Sequence, residues 1–506
     1  MNKTSRQILS TAVALAAALP ASAWATNGYF SHGWGTKSKA MAGVATALPQ
    51  DTLVSATNPA GMAFLGQRFD LGVSFFNPSP RGYEANNDYS IQAVPATDGV
   101  NDFSVNFPAG GFVTPGRYDS DSDWFLIPSI GYNHQLTPRS TIGVSIYGNG
   151  GMNTDYSNAV WANFAPAPNQ QVVNGQPVVA TLPPGTPLDQ GGRVLIQNGQ
   201  PVPVTQSIPG GQNGNPNGFL TATAPTGVNL EQLFIEIPYT IRIGDGKQAF
   251  GIAPVFAAQS FEAKGLQPFQ NASVDPTKVT NNGKDWSYGV GLHLGWYGEV
   301  TEELALGLSY RTKMWMSDFD NYSGLFADGG GFDIPAMFNF GLAYKIQPAV
   351  TLGFDYQHIF YDEIEAISNS NDIDLSPCFG VEPKPSYCLG AKSGLGFGWK
   401  SLDVFKLGVR WDQSDKLKLF GGVSYNTELL KSSQQALFNI LTPATIRWHL
   451  SVGATYVHSA KDEFNLSYTY MPKETLDGTS PSITQAQTGN IYMQQQDIEI
   501  SWNHRF

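Results

Sequence analysis

Residues 285–299 read DWSYGVGLHLGWYGE, and this stretch identifies the class of fold. Every second residue in it is large and apolar: Trp286, Tyr288, Val290, Leu292, Leu294 and Trp296. The residues between them are mostly small or polar, so the period is two, which places the two sets on opposite faces of a β-strand. Tryptophan stands near both ends, as in the aromatic girdles that border the lipid-facing band of a membrane β-barrel. The stretch predicts a barrel strand with its apolar face toward lipid and its small residues toward a lumen.

The same alternation recurs from Arg68 to the C-terminus. About fourteen strands are predicted, with starts near positions 68, 123, 140, 231, 248, 285, 303, 336, 350, 400, 416, 445, 463 and 490. Short turns alternate strictly with long loops, which are roughly 77–122, 153–229, 263–284, 317–335, 362–398, 427–444 and 474–489. Alternation alone would also fit a soluble sandwich, but short periplasmic turns opposite long outer loops are typical of bacterial outer-membrane barrels. We predict an all-β fold, a transmembrane antiparallel β-barrel of about fourteen strands.

The composition excludes several other classes of protein. The chain has 506 residues, of which 42% are hydrophobic, 12% aromatic and 14% charged. The apolar content is too high for a disordered chain, and the chain contains no apolar run of the roughly 20 residues that a membrane-spanning helix needs. A net charge of −12 argues against nucleic acid as a partner. Within a membrane, the chain has to form a closed barrel, because every backbone polar group must be paired within the protein.

Both ends of the chain carry signals for export and insertion. Residues 1–25 combine a basic start, an apolar core and a small-x-small site that ends at Ala25, which is the pattern of a cleavable signal peptide. Cleavage after Ala23 fits nearly as well, and a buried N-terminal helix is the alternative interpretation. The last residues alternate and end on Phe506, which resembles the signal read by the barrel-insertion machinery of bacteria. We expect a multi-pass barrel in the bacterial outer membrane, in contact with outer-membrane lipid.

Residues 26–67 do not alternate and are rich in Gly, Ala, Ser and Thr. A barrel of this size leaves a polar lumen unless something fills it. We therefore expect residues 26–67 to fold as a hatch, or plug, inside the lumen, and residues 68–506 to form the barrel. A flexible periplasmic tail is the alternative.

Three motifs in this segment resemble a known family. They are NGYF at 27–30, GTKSKAMAG at 35–43 and TNPAGMA at 57–63. They are similar to the hatch of the FadL/TodX family of outer-membrane transporters for long-chain fatty acids and aromatic hydrocarbons. The stretch SGLFADGGGFDIP at 323–335, the strand count and the C-terminal phenylalanine also resemble that family.

The resemblance implies a mechanism of passive transport by a monomeric, plugged barrel. A hydrophobic ligand would be captured among the outer loops, pass to a site in the lumen and leave sideways into the outer membrane through a gap at a kink in the third strand. The hatch motif, Asn58, Pro59 and Ala60, would take part in gating. Nothing in the resemblance separates fatty acids from alkanes or aromatic hydrocarbons, or uptake from export of a hydrophobic product.

The sequence itself also predicts the kink. The third predicted strand runs into Gly148, Asn149, Gly150 and Gly151. Glycine within a strand weakens the ladder and marks a bulge or bend, and a broken ladder in a barrel wall leaves a gap. The alternative is that these residues merely begin the long loop 153–229.

Two outer loops carry apolar residues that suggest a site for an apolar ligand. The candidate ligand-binding residues are Phe319, Leu325, Phe326, Phe332, Leu437 and Phe438. The alternative is that the loops pack on themselves as a lid. We also expect a short amphipathic helix within 427–444.

A carboxylate head group would need a cation in the lumen. The candidates on the lumen phase of their strands are Arg311, Lys313, Lys406, Arg410 and Arg447. For each of them, an ion pair with a lumen acid such as Asp355, Asp412 or Glu499 is the stronger alternative. A neutral hydrocarbon would need none of them.

The remaining signals are weaker. Cys378 and Cys388 lie within one predicted outer loop, and a disulfide between them is favoured over free thiols. No metal site, cofactor or catalytic residue is predicted, because the chain lacks the usual hydrolase and phosphate-binding motifs. An outer-membrane lipid hydrolase, a porin for polar solutes and an adhesin barrel are the rival functions.

Overall fold

The computed structural model describes residues 26–86, 113–161, 224–372, 378, 384–430, 436–479 and 487–506. It also gives the backbone of five short strands outside the barrel: Gln92–Pro95, Asp102–Asn106, Gln170–Gln171, Leu195–Gln197 and Gln200–Val202. The predicted signal peptide, residues 1–25, lies outside the described residues. Within those residues, no helix has the length and apolar character needed to cross a membrane.

Fourteen antiparallel strands form one closed barrel. Their bounds are β1 Arg68–Asn77, β2 Phe125–Thr137, β3 Ser140–Tyr156, β4 Thr226–Glu236 and Tyr239–Ile243, β5 Gln248–Lys264, β6 Asp285–Glu299, β7 Leu304–Arg311 with Trp315–Met316, β8 Met337–Gln347, β9 Val350–Ile359, β10 Leu402–Asp412, β11 Leu417–Asn426, β12 Trp448–Val457, β13 Asp462–Thr479 and β14 Thr488–Arg505. The barrel closes because β1 pairs with β14 from Arg68↔Arg505 to Asn77↔Gln496. The predicted fold class is confirmed.

The outer wall has the apolar face that the alternation predicts. Large apolar side chains project from alternate positions and are exposed, for example Trp286, Tyr288, Val290 and Leu294 on β6. On that strand the residues between them face inward, and His293 is fully buried. The exposed face is therefore the lipid-contacting surface of the barrel.

Two strand boundaries differ from the predicted ones around the long second loop. The loop 153–229 was expected to begin at residue 153, but β3 continues to Tyr156 and β4 already begins at Thr226. Asn, Thr and Asp at the end of β3 resemble loop residues, yet their backbone pairs with β4 from Asn153↔Asn229 to Tyr156↔Thr226. The glycines at 148–151 therefore lie within a strand and do not mark the start of a loop.

Short elements extend above and inside the barrel. The strands Arg81–Ala85 and Gly116–Asp119 pair with each other, and the first also pairs with β14. The helical turns are Thr36–Lys39, Thr52–Ala56, Pro59–Phe64, Gln267–Ala272, Pro276–Lys278, Asp320–Tyr322, Ala327–Gly330, Tyr361–Glu363, Glu365–Ser368 and Leu437–Leu441. The helix expected within 427–444 is thus a five-residue 3₁₀ turn.

Residues 26–63 lie inside the barrel and are almost entirely buried. They contact a ring of inward-facing glycines, one from each of eight consecutive strands, which we call the glycine belt: Gly251, Gly295, Gly307, Gly341, Gly353, Gly408, Gly422 and Gly453. A β-carbon at any of them would meet hatch atoms between Ala40 and Ala60. The belt brings the backbone of the wall and that of the hatch into direct contact, which only residues without a side chain allow.

We expect Gly422→Ala to displace the hatch without unfolding the barrel. A β-carbon at Gly422 would lie 2.7 Å from the Met41 carbonyl oxygen, whereas one at Gly421 has its nearest contact at 3.7 Å. Gly421→Ala is therefore a matched control on the same strand. In planar bilayers the ion conductance of Gly422→Ala should rise severalfold above that of the parent, and that of Gly421→Ala should not. Equal conductance of the two variants would contradict close seating of the hatch.

Candidate functional site

Aromatic rings from the outer loops and the upper wall form one buried group. Phe326 packs on Phe332 with a centroid distance of 4.9 Å and on Phe319 at 5.9 Å. Phe261 of β5 lies 4.7 Å from Phe326 and 4.8 Å from Tyr322. All five side chains are buried. Three of them are predicted ligand-binding residues, and Tyr322 belongs to the same predicted apolar loop, whereas Phe261 was not predicted.

The group continues downward to the hatch. Tyr29 lies 6.2 Å from Phe332 and 5.2 Å from Tyr361, and Tyr361 lies 5.5 Å from Trp399. The Tyr361 hydroxyl donates to the Asn27 carbonyl oxygen at 2.6 Å, so this ring is fixed to the hatch. We call these rings the aromatic column: Phe261, Phe319, Tyr322, Phe326, Phe332, Tyr29, Tyr361 and Trp399. It joins the outer loops to the centre of the lumen.

The other predicted loop residues lie beside the column. Leu437 is fully buried, and Phe438 packs on Phe269 at 6.0 Å. Leu325 is partly buried against the same apolar cluster. In this conformation the loops therefore pack on one another, as the lid alternative predicts, and a ligand would have to separate them.

Arg311, at the end of β7, lies where the column meets the hatch. Its guanidinium carbon stands over the rings of Phe234, Phe30 and Trp34 at 4.8, 5.3 and 5.8 Å. Nη2 donates to Asn149 Oδ1 at 3.1 Å. Nε and Nη1 have no hydrogen-bond partner among the described residues, although the side chain is fully buried.

The other four candidate cations have nearby polar partners. Lys313 pairs with Asp333 at 2.7 Å, and Arg410 pairs with Asp412 at 2.9 Å. Arg447 donates to the Tyr425 hydroxyl, and Lys406 donates to the His32 carbonyl oxygen at 3.1 Å. Lys313, Arg410, Lys406 and Arg447 are thus engaged with the protein, and Arg311 alone lies at the foot of the aromatic column.

The wall between β2 and β3 is incomplete at the predicted kink. The ladder joins the two strands only from Thr137↔Ser140 to Ile130↔Ile146, and within these fully described strands no pair extends above it. On its other side, β3 has a bulge: Leu233 pairs with Gly148 and Gln232 with Gly150, which leaves Asn149 without a register partner. We call the gap between residues 126–129 of β2 and residues 147–152 of β3, across which these two strands form no ladder pairs, the window.

The hatch supplies the hydrogen bonds that β2 does not. Ser31 N–H donates to the Asn149 carbonyl oxygen at 3.0 Å, and Gly151 N–H donates to the Tyr29 carbonyl oxygen at 2.8 Å. The indole of Trp34 donates to the Gly148 carbonyl oxygen at 3.1 Å. The backbone of β3 is thereby paired at the kink, and the hatch closes the window from inside.

The window also has an upper edge. Arg81 is buried and donates through Nε to the Asn153 carbonyl oxygen at 3.0 Å, and Asp155 N–H donates to Ser120 Oγ at 2.9 Å. A cavity of about 20 Å³ lies in the window, lined by hatch residues including Trp34 and Lys39 and by Ile127, Pro128 and Gly148 of the wall. This is room for about one water molecule. The window is closed to a ligand in this conformation.

The predicted hatch motif ties the hatch to the wall. Asn58 Oδ1 accepts from Ala60 N–H at 3.1 Å and so caps the 3₁₀ turn that begins with Pro59. Its Nδ2 donates to the Thr46 carbonyl oxygen at 2.8 Å and to the Trp296 carbonyl oxygen at 2.9 Å. The motif lies against β6, three strands from β3.

Cys378 and Cys388 form a disulfide in the loop between β9 and β10. Lys384 donates to the carbonyl oxygens of Cys378 and Asn271, at 2.8 and 2.5 Å, which holds this loop against the one after β5. The described residues contain no group of three or more His, Cys, Asp or Glu side chains placed to hold a metal ion.

Sequence reasoning missed several residues of this site. Trp34, Phe234, Phe261, Tyr361 and Trp399 all contact the column or the window, yet none stands in a motif with a chemical signature. Tyr29 and Phe30 belong to a quoted hatch motif, and two adjacent aromatic rings in a segment of small residues were an available signal that the hatch contacts an apolar ligand path.

A known protein family matches this sequence and fits the barrel architecture. Residues 249–498 match the family model described as outer membrane protein transport protein (OMPP1/FadL/TodX). The chain belongs to the FadL/TodX family. It is therefore an outer-membrane channel that transports hydrophobic compounds and is not an enzyme, which removes the hydrolase alternative.

Solved structures share the FadL/TodX fold. The chain is similar to the toluene transporter TodX of Pseudomonas putida, with a TM-score of 0.58, 14% identity and coverage of 94% of this chain and 99% of that one. It is also similar to a FadL homologue of Pseudomonas aeruginosa, with a TM-score of 0.58, 13% identity and the same coverage. The toluene transporter TbuX of Ralstonia pickettii gives a TM-score of 0.54 at 14% identity, again with the same coverage. None of the curated proteins matches the chain in sequence.

Asn58→Ala should loosen the hatch, because it removes both the cap and the bonds to Thr46 and Trp296. Loss of a side-chain cap costs about 1 kcal/mol, so amide hydrogen exchange in Pro59–Phe64 should speed up by roughly fivefold or more. Asn58→Ser keeps a side-chain cap acceptor and loses the Nδ2 bonds without burying a charge, so it separates the two contributions. Amides of β12, which Asn58 does not contact, serve as the internal reference. Unchanged exchange in the alanine variant would refute the anchoring role.

Proposed function

We propose that the chain transports long-chain fatty acids passively. The ligand passes from the outer loops to Arg311 in the lumen and then leaves sideways through the window into the outer membrane. The observation that carries the proposal is the position of Arg311. It is a fully buried cation with two nitrogen atoms that lack hydrogen-bond partners among the described residues. It stands over Phe30, whose ring packs on Tyr29 at the inner end of the aromatic column. A carboxylate can accept two parallel hydrogen bonds from such a guanidinium.

The column fits the other end of the same ligand. A fatty acid bound head-down at Arg311 would direct its alkyl chain toward Tyr29, Phe332 and Phe326. Each methylene that leaves water for this apolar region contributes about 0.8 kcal/mol. Because the rings contact each other, the alkyl chain would have to part them, and the loops above would have to yield with them.

Arg311→Met should abolish most fatty-acid uptake in cells that lack their own transporter. A hydrogen bond to a charged group contributes about 1.5–3 kcal/mol, so uptake at limiting concentration should fall by roughly tenfold or more. Lys313→Met is the matched control, since Lys313 lies two residues away and is paired with Asp333. Barrel abundance and heat-resistant migration should be equal in all strains.

The same cells distinguish the second candidate, which is uptake of neutral aromatic hydrocarbons. The solved structures named as toluene transporters favour it. A neutral ring gains no charge-assisted bond at Arg311, so labelled toluene uptake should change little in Arg311→Met. Toluene uptake by the parent without fatty-acid uptake would overturn the fatty-acid proposal. Transport without energy coupling follows the concentration gradient, so either compound could also be exported.

The proposed lateral exit is supported by the absence of β2–β3 pairing above Ile130↔Ile146. A β-carbon placed on Gly148 would lie 2.9 Å from Ile127 Cγ2, so side chains at these positions meet across the window. The double variant Ile127→Cys with Gly148→Cys should therefore form a disulfide that locks the window.

Oxidised double-cysteine protein should lose fatty-acid uptake, and a reductant should restore it. Uptake by each single cysteine variant should be the same with and without reductant, because neither can form the cross-link. The parent with reductant is a further control, because the protein contains its own disulfide. Full uptake by the oxidised, cross-linked protein would refute lateral exit and would favour passage through the hatch to the periplasm.

A further inference from the structure

We infer that Lys39 is the positioning residue that keeps the hatch across the window, through a buried ion cluster with Asp497 and Glu499 on β14. The inference rests on the lateral exit proposed above. In this proposal, Lys39 fixes the position of the hatch along β14 at which Trp34 closes the window.

The ion cluster consists of three buried charges. Lys39 Nζ lies 2.6 Å from Asp497 Oδ2 and 2.7 Å from Glu499 Oε2. All three side chains are at most 5% exposed. The carboxylates are held in turn, because the Thr36 hydroxyl donates to Glu499 at 2.9 Å and the Ser74 hydroxyl donates to Asp497.

The cluster lies beside the window and on the same hatch segment as its closing residue. Lys39 and Glu499 line the window cavity together with Trp34 and Gly148. Lys39 N–H also donates to the Gly35 carbonyl oxygen at 3.0 Å, which couples the lysine to the turn that follows Trp34. A shift of Lys39 along β14 would therefore move the indole relative to Gly148.

Lys39 marks the boundary between two ways of holding the hatch. From Ala40 onward the hatch lies against the glycine belt, where Ala40 meets Gly453 and Met41 meets Gly422. Before Lys39, residues 29–34 hydrogen-bond the kink of β3, and His32 also contacts Lys406 and Thr469 of the wall. A buried ion pair adds little net stability but is well suited to fixing register, because one geometry satisfies all the charges. The segment that covers the window is thus set in place by the cluster.

Lys37 provides a matched control. It lies on the same helical turn, is equally buried and pairs with Glu463 at 2.5 Å. Glu463 also pairs with Arg505, and neither Lys37 nor Glu463 lines the window cavity. Loss of Lys37 removes a comparable ion pair without touching the window.

The experiment measures opening of the window without any transported ligand. Ser31→Cys places a thiol in the window cavity, and the native cysteines are already bonded to each other. The rate of labelling by a small maleimide is compared in the full-length barrel, in liposomes, with Lys39→Met, Lys39→Arg or Lys37→Met added. Lys39→Met should label roughly tenfold faster or more, because breaking a buried ion pair is strongly destabilising to the geometry it holds. Lys39→Arg and Lys37→Met should stay near the parent rate.

A further variant separates loss of the lysine from general destabilisation of the protein. Lys39→Met with Asp497→Asn and Glu499→Gln removes the lysine without leaving buried carboxylates unpaired. It should melt near the parent temperature and still label fast. Slow labelling by this variant, or equally fast labelling by Lys37→Met, would overturn the positioning role. Labelling needs no substrate. If the parent protein fails to take up fatty acid, the proposed function is refuted, but the labelling rates still test the role of Lys39.

Discussion

A strand in a membrane wall cannot leave its backbone polar groups unpaired, and β3 meets this constraint in an unusual way. Above Ile146 it has lost its pairing with β2, so the hatch supplies partners at Asn149 and Gly151. Above these, Arg81 supplies a side-chain donor to Asn153. The integrity of the wall at this point therefore depends on a segment that is not part of the wall. Movement of the hatch would therefore expose the gap, which is the basis of the proposed lateral exit.

The hatch is held differently on its two sides. On β5–β12 it touches the backbone of the glycine belt, where contact is short-range and any added side chain would force it away. On β13 and β14 it is held by ion pairs of Lys37 and Lys39 with wall carboxylates, and on β1 Asp70 accepts from Thr52 N–H while Arg68 donates to the Gln50 carbonyl oxygen. Close packing resists displacement in every direction, whereas an ion cluster has one preferred register. The ion pairs lie on the side of the barrel nearest the window. Movement of the hatch on that side would open the proposed exit.

The sequence predicts the barrel well because period-two alternation and turn spacing are local properties, visible in single strands such as β6. It also predicts the hatch, since a segment without alternation has few other places to lie, and the kink, since four residues with three glycines weaken any ladder. It cannot separate Arg311 from Arg410, because both have the strand phase of a lumen cation. Only tertiary contacts reveal that Asp412 lies beside one of them and aromatic rings beside the other. The glycine belt is missed for a similar reason, because each strand contributes one residue.

The buried arginine is the strongest argument that the column serves a ligand with an acidic head. Burying a guanidinium without full hydrogen bonding is costly, and structural arginines avoid that cost by pairing with acids. Arg410 does so with Asp412. Arg311 has the faces of three aromatic rings, one amide oxygen and the neighbouring Tyr147 hydroxyl, which itself donates to Glu236. Among the described residues, Nε and Nη1 have no hydrogen-bond partner. A cation kept at the end of an apolar column is complementary to an anion that carries an apolar chain, and this complementarity is the basis of the proposed fatty-acid substrate.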